Sequence, residues 1–168
     1  MRTLLMVTAS LVLSAGLARG QQPAVHDQLL DHMTGNWILH GTVAGQETTH
    51  DIAAEWVLGH RVVRIHEISR DRDAQGLPAY EAIVFVGWDQ PTGEYGCAWL
   101  DTYGGMTPAS FGRGKRDGGE LHFLFRDKES IFHTRFIYHP DAHDWEWRMD
   151  SEEKDGIKPF ARVKLTRK

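Results

Sequence analysis

The sequence predicts an all-β protein: an antiparallel up-and-down β-barrel of about ten strands with one short N-terminal helix. Turn-forming clusters recur at residues 44–46, 59–60, 71–76, 89–93, 104–105, 117–119, 127–129, 139–144 and 155–156, and these nine breaks separate ten candidate strands. Several of the intervals alternate apolar and polar residues with the period of two that belongs to a half-buried strand. Ten strands in one sequential meander leave two unpaired edges, and closure into a barrel removes both. An open sandwich is the alternative arrangement.

Residues 1–20 join a cationic start at Arg2, an apolar stretch from Leu4 to Leu13, and the small residues Ala18 and Gly20. This is the pattern of a secretory signal peptide, with the mature start expected near Gln21 and cleavage after Ala18 as the alternative. The apolar stretch falls short of the roughly 20 residues that span a bilayer, so no membrane anchor is expected in the mature chain. No cysteine lies near the cleavage point to carry a lipid. The expected localisation is export, to the periplasm or outside the cell. Removing 20 of 168 residues leaves 148, enough for one domain with a single core, residues 21–168.

In residues 23–33, Val25, Leu29, Leu30 and Met33 follow a helical spacing that stops at Gly35, which predicts the short helix. In residues 144–150, Trp145, Trp147 and Met149 fall on one strand face and the charges on the other. Leu121, Phe123 and Phe125 share a face, as do Phe132, Thr134, Phe136 and Tyr138, and the two strands pair as a hairpin across residues 127–129. Ala82-Ile83-Val84-Phe85-Val86 is apolar on both faces, as expected where one face lines the barrel and the other lies under the helix.

Loss of Arg2 and Arg19 with the leader takes the 19 basic residues to 17 against 23 acidic, a net charge of −6. That balance excludes nucleic acid, whose phosphates need clustered Lys and Arg. Cys97 is the one cysteine, so an exported chain has no internal disulfide and its core supplies the stability. Cys97 lies between Gly96 and Ala98 in a strand, the setting of a small buried hydrophobe.

The run Asp71-Arg72-Asp73-Ala74-Gln75-Gly76 opens like a calcium loop, but the twelfth position is Ala82 where a bidentate glutamate belongs, so a solvated turn is expected. His139-Pro140-Asp141-Ala142-His143 reads as a turn with exposed histidines, and His60 and His66 lie too far apart along a strand to share an ion; no metal site is expected. There is no Gly-x-Ser-x-Gly elbow. Glu67, Asp101, His133 and Arg135 each lie in a predicted strand and would perform acid-base work if strand parity brought them together inside; a satisfied structural network is the competing reading.

Gly35-Asn36-Trp37 at the start of the first strand resembles the Gly-x-Trp signature of the lipocalins and their calycin relatives. With residues 55–63, Val86-Gly87-Trp88-Asp89, Thr92-Gly93-Glu94-Tyr95, Trp99-Leu100-Asp101 and the ending from Asp155-Gly156 to Thr166-Arg167-Lys168, residues 26–168 resemble the bacterial lipocalin-like family catalogued as domain of unknown function fifteen seventy-nine. The resemblance implies a calycin-like barrel whose Gly35 and Trp37 close one end. It brings no activity, catalytic residue or cofactor. The haem-binding nitrobindins, distant barrel relatives, ligate haem through a histidine near the C-terminal end, and residues 157–166 contain none.

The six tryptophans and seven phenylalanines are the main resource for function. They build either a packed core or an aromatic-lined cavity, and ten strands enclose more room than an eight-stranded barrel can fill with side chains. The cavity reading assigns Trp56, Trp99, Phe123, Phe136 and Trp147 to a small apolar or amphipathic ligand. The alternatives are an enzyme that uses the same cavity with an acid-base pair such as Asp101 and His133, and a surface-binding module with a filled core. Nothing in the chain signals its oligomeric state.

Overall fold

A computed structural model describes residues 27–168; the leader and the first residues of the expected helix lie outside them. The helix α1, Gln28–Met33, begins at the buried Asp27, whose Oδ1 accepts from the backbone N–H groups of Leu29 (2.9 Å) and Leu30 (3.3 Å). A side-chain acceptor there satisfies donors that the first helical turn leaves without partners. The helix buries Leu29, Leu30 and Met33 and ends at the extended Thr34. Gly35 follows with φ +121°, a backbone conformation that strains any side chain with a Cβ, so glycine is favoured there.

Ten strands follow: β1 Gly35–Val43, β2 Gln46–Val57, β3 Val62–Ser69, β4 Glu81–Asp89, β5 Glu94–Asp101, β6 Phe111–Asp117, β7 Glu120–Arg126, β8 Ile131–His139, β9 Asp144–Glu153 and β10 Gly156–Arg167. Each pairs antiparallel with the next, and β1 pairs with β10 from Trp37↔Arg167 to Val43↔Ala161, which closes the barrel. The all-β barrel of ten strands with one short helix is therefore the fold. Hairpin turns direct the meander; Ala44 (φ 50°) and Gly45 (φ 79°) take the left-handed conformations of a two-residue turn that matches strand twist.

Strand alternation defines the interior. Trp37 and Leu39, Ile52 and Ala54, Val63 and Ile65, and the alternating buried residues of the later strands form one core. Strand β6 presents Gly112 and Gly114 on this face. A Cβ at Gly114 would lie 2.6 Å from the Phe123 ring and one at Gly112 2.9 Å from the Phe125 ring. Two bulky rings of β7 thus lie over a strand that has no inward side chain at these positions. The hairpin expected from the aromatic alternation is present, with Phe123↔Thr134 and Phe125↔Phe132 in register.

One expectation about the helix is corrected. The outer residues Ile83 and Phe85 of β4 are half-buried, but α1 does not lie along that strand. Its hydrogen bonds and ring stacks go to Trp37, Trp56, Tyr138, Trp145 and Arg167. A six-residue helix is about 9 Å long, too short to cover a strand face but suited to the end of a barrel.

Candidate functional site

The two barrel ends differ in chemistry. At the helix end, Trp37 is fully buried, its Nε1 donates to the Met33 carbonyl at 2.8 Å, and the Arg167 guanidinium stands 3.9 Å from the centre of its ring. Trp145 Nε1 donates to the His32 carbonyl at 3.2 Å. Asp27 accepts from the Tyr95 hydroxyl and from Arg116 Nη1. Burial, and next the Asp27 carboxyl, push the Tyr95 phenol up to about 12. Gly35 and Trp37 thus sit where the chain passes from the plug into the wall. Trp56 belongs here too: its Nε1 donates to Asp31 Oδ1 at 2.8 Å, which holds it against the helix.

Phe123, Phe136 and Trp147 lie on the inner wall with no solvent exposure. They pack as one cluster, with ring centroids 5.7 Å apart for Phe123–Phe136 and 4.6 Å for Phe136–Trp147. Trp99 joins it edge-on to Trp147 at 6.1 Å and remains partly exposed. Four of the five sequence-nominated aromatics are therefore brought together, and Trp56 stands apart from them.

Around Trp99, toward the end opposite the helix, the interior turns polar. Trp99 Nε1 donates to the Tyr80 hydroxyl at 2.9 Å, and that hydroxyl donates to Asp101 Oδ2 at 3.4 Å. Tyr80 stacks on the His50 ring at 5.6 Å. His50 Nδ1 lies 2.5 Å from Glu67 Oε1 and its Nε2 lies 2.7 Å from Thr48 Oγ1. Burial, and then the negative charge of Glu67, raise the Tyr80 phenol far above its ordinary value, so it stays a neutral donor. Glu67 is 4% exposed and its Oε2 has no hydrogen-bond partner among the described residues. The same holds for Nε1 of Trp147. Leaving a buried polar atom unpaired costs about 1–3 kcal/mol, so each calls for a reason.

Chemically, this arrangement provides an imidazole oriented by a carboxyl and touching a hydroxyl, which can relay a proton. It also provides one free acceptor and one free donor beside aromatic walls. Composition had not pointed to His50. Its signal was present as a polar residue at a buried phase, since His50 alternates with Ile52 and Ala54, and Glu67 with Val63 and Ile65.

The acid-base pair suggested by the sequence is not formed. Asp101 shares the inward phase of Tyr95, Cys97 and Trp99, whereas His133 is on the outer face, where it contacts His122 at 3.1 Å and Glu152 at 2.8 Å. Arg135, also outward, pairs with Glu120 at 3.2 Å. The barrel wall separates these groups from Glu67 and Asp101. The turn histidines have local partners, His139 with Asp144 and His143 with Tyr138. Cys97 is buried, and burial pushes its thiol up, which leaves a poor nucleophile. A scan against protein-family models finds no match for this chain, and a search of curated proteins finds none either.

Proposed function

We propose that the chain is an exported, lipocalin-like barrel that holds one small amphipathic molecule in the half of its interior opposite the helix. The observation that carries this reading is the pair of buried polar atoms, Glu67 Oε2 and Trp147 Nε1, that have no hydrogen-bond partner among the described residues, the second of them within the aromatic cluster of the inner wall. A packed core has no use for such atoms, whereas a binding site uses a few polar groups to orient an otherwise apolar guest. Trp99, Phe136 and Trp147 form the apolar floor, with Phe123 packed behind Phe136. A guest burying about 300 Å² of apolar surface gains roughly 7 kcal/mol before immobilisation costs, which corresponds to micromolar or weaker affinity.

The test is fluorescence titration of the chain from Gln21 with the neutral probe N-phenyl-1-naphthylamine. Expected are one saturable site, energy transfer from tryptophan, and a loss of more than about 1 kcal/mol of binding in Trp99→Ala. Absence of saturable binding by a folded wild type would sink the carrier reading and leave a filled barrel that acts through its surface.

A further inference from the structure

We infer that the barrel end opposite the helix carries a nucleophilic site, in which Thr48 takes the acyl group of small aryl esters and His50 is its general base. The inference goes beyond the carrier reading and does not rest on it, because Thr48 is a partly exposed residue close to the β1–β2 turn at that end.

Three side chains meet in series. Thr48 and His50 alternate along β2 and so share its inner face. The Thr48 hydroxyl lies 2.7 Å from His50 Nε2, and Nδ1 of the same ring lies 2.5 Å from Glu67 Oε1 on the neighbouring β3. A hydroxyl within hydrogen-bond reach of an imidazole that a carboxyl holds from behind is the arrangement that activates a weak oxygen nucleophile. The hydrogen of the Nδ1–Oε1 contact, placed on Nδ1, leaves the Nε2 lone pair facing Thr48 as acceptor and base. Tyr80 stacks on the imidazole at 5.6 Å and its hydroxyl accepts from Trp99 Nε1, so the ring is held on a face as well as at both nitrogens.

The opposite face of the same strand repeats these residue types with a different outcome. There Thr49 Oγ1 lies 3.0 Å from His40 Nδ1, and His40 Nε2 stands 3.7 Å from Glu47 Oε2. The His40 and Glu47 side chains are 68% and 72% exposed, against 7% and 5% for His50 and Glu67. Water competes for every contact of the outer set, and its imidazole–carboxyl distance is too long for a hydrogen bond. In the inner set the base and the carboxyl are buried, where such bonds are stronger, and only the nucleophile is partly open to solvent.

The chemistry balances with an ester and water alone. Thr48 Oγ1 attacks the ester carbonyl carbon while its proton passes to His50 Nε2; the bond to the aryl oxygen breaks, and the departing phenolate takes that proton. Water then attacks the threonyl ester, giving its proton to Nε2. The bond to Oγ1 breaks, Oγ1 recovers the proton, and the carboxylic acid leaves. A nucleophile and a base suit a leaving group as weakly basic as a phenol, whereas an amide nitrogen must be protonated before it departs.

The experiment mixes the wild-type protein with p-nitrophenyl acetate at neutral pH, follows release of p-nitrophenol, and maps acetyl groups by tandem mass spectrometry after acid quenching from milliseconds to minutes. Expected is an acetyl group on Thr48 and not on Thr49. Thr48→Ser is expected to keep acetylation at that position, and Thr48→Ala to lose both the adduct and turnover. His50→Gln is expected to slow acylation about 100-fold, the scale of a general base. Glu67 is a positioning residue, and Glu67→Gln is expected to lower kcat about tenfold or more with KM changed less than about twofold.

No acetyl group at position 48 of the wild type at any quench time overturns the inference, and so does acetylation confined to lysines or equal at Thr48 and Thr49. These outcomes need only the wild type, so the inference stays testable if a variant fails to fold. Turnover that survives in a folded Thr48→Ala overturns it as well. Titration with N-phenyl-1-naphthylamine reads the carrier separately: acetylation of Thr48 without probe binding upholds this inference and sinks the carrier, and probe binding without acetylation does the reverse.

Discussion

Glu67 and His50 illustrate how far single residues are legible in this chain. Both occupy the buried phase of an alternating strand, so the sequence marks each as inward once the phase of Val63-Ile65 and Ile52-Ala54 is read. That they touch follows from register, Ile52 opposite Glu67 and His50 opposite Ser69, and register over 17 residues is not written in composition. Asp101 and His133 failed as a pair for the same reason, since one residue of parity sends a side chain through the wall. Outer residues are equally specific. Asp144 is buried, with Lys164 Nζ at 2.7 Å and His139 Nδ1 at 2.8 Å. Burial raises its carboxyl, but hydrogen bonds and charge from Lys164 and His139 outweigh burial, so the value lies below the ordinary 3.8. With a depressed folded value, its stabilisation is complete above the unfolded value and is lost as pH falls through the folded one. Glu146 is lowered in the same sense, chiefly by Arg148. The urea midpoint of the wild type is therefore expected to fall between about pH 5 and pH 2, and that of Lys164→Met to fall less over the same window. Parallel profiles would show that this ion pair is not a source of acid sensitivity.

Among the elements, the hairpins were the most legible part, because glycine and asparagine-like turns stand where adjacent strands join and the aromatic alternation of β7 and β8 has one workable pairing. The helix was legible as a helix but not in its placement. Two-sided apolarity in β4 suggested a covering helix, yet Ile83 and Phe85 keep partial exposure and α1 plugs the end instead. What decides this is the polar seam around Asp27, which serves two helix amides, Tyr95 and Arg116 at once. Asp27→Ala removes all four acceptor contacts and leaves the Tyr95 hydroxyl in a buried setting. A loss of about 2–4 kcal/mol in urea unfolding is expected, more than an exposed helix cap provides. Asp27→Asn, which keeps an acceptor, is expected to lose less. A change below about 0.5 kcal/mol in Asp27→Ala would mean that the plug unfolds separately from the barrel.

At the scale of the whole molecule, ten sequential strands announced a closed meander, because an open sheet of this length would leave two edges bare. Closure itself rests on β10, which pairs with β9 on one side and β1 on the other. Its last turn of sequence holds more than ladder contacts: Leu165 lies between Leu39 and Trp145, and Arg167 covers the Trp37 ring while donating to the Thr34 carbonyl at 2.7 Å. Removing residues 162–168 uncovers β1 over Trp37 to Thr42 and β9 over Trp145 to Arg148, so two edges with apolar neighbours appear in one protein. Exposed edges of this kind pair with other chains. The truncated protein is expected to elute as oligomers in size-exclusion chromatography and to lose cooperative urea unfolding, whereas Arg167→Ala, which keeps the ladder, remains a monomer of the same size as the wild type if the wild type is monomeric. If the truncated chain elutes with the wild type and unfolds in one sharp transition, the first nine strands hold their shape without closure. The barrel would then be a curled sheet whose seam contributes little, and an interior guest would need another source of enclosure.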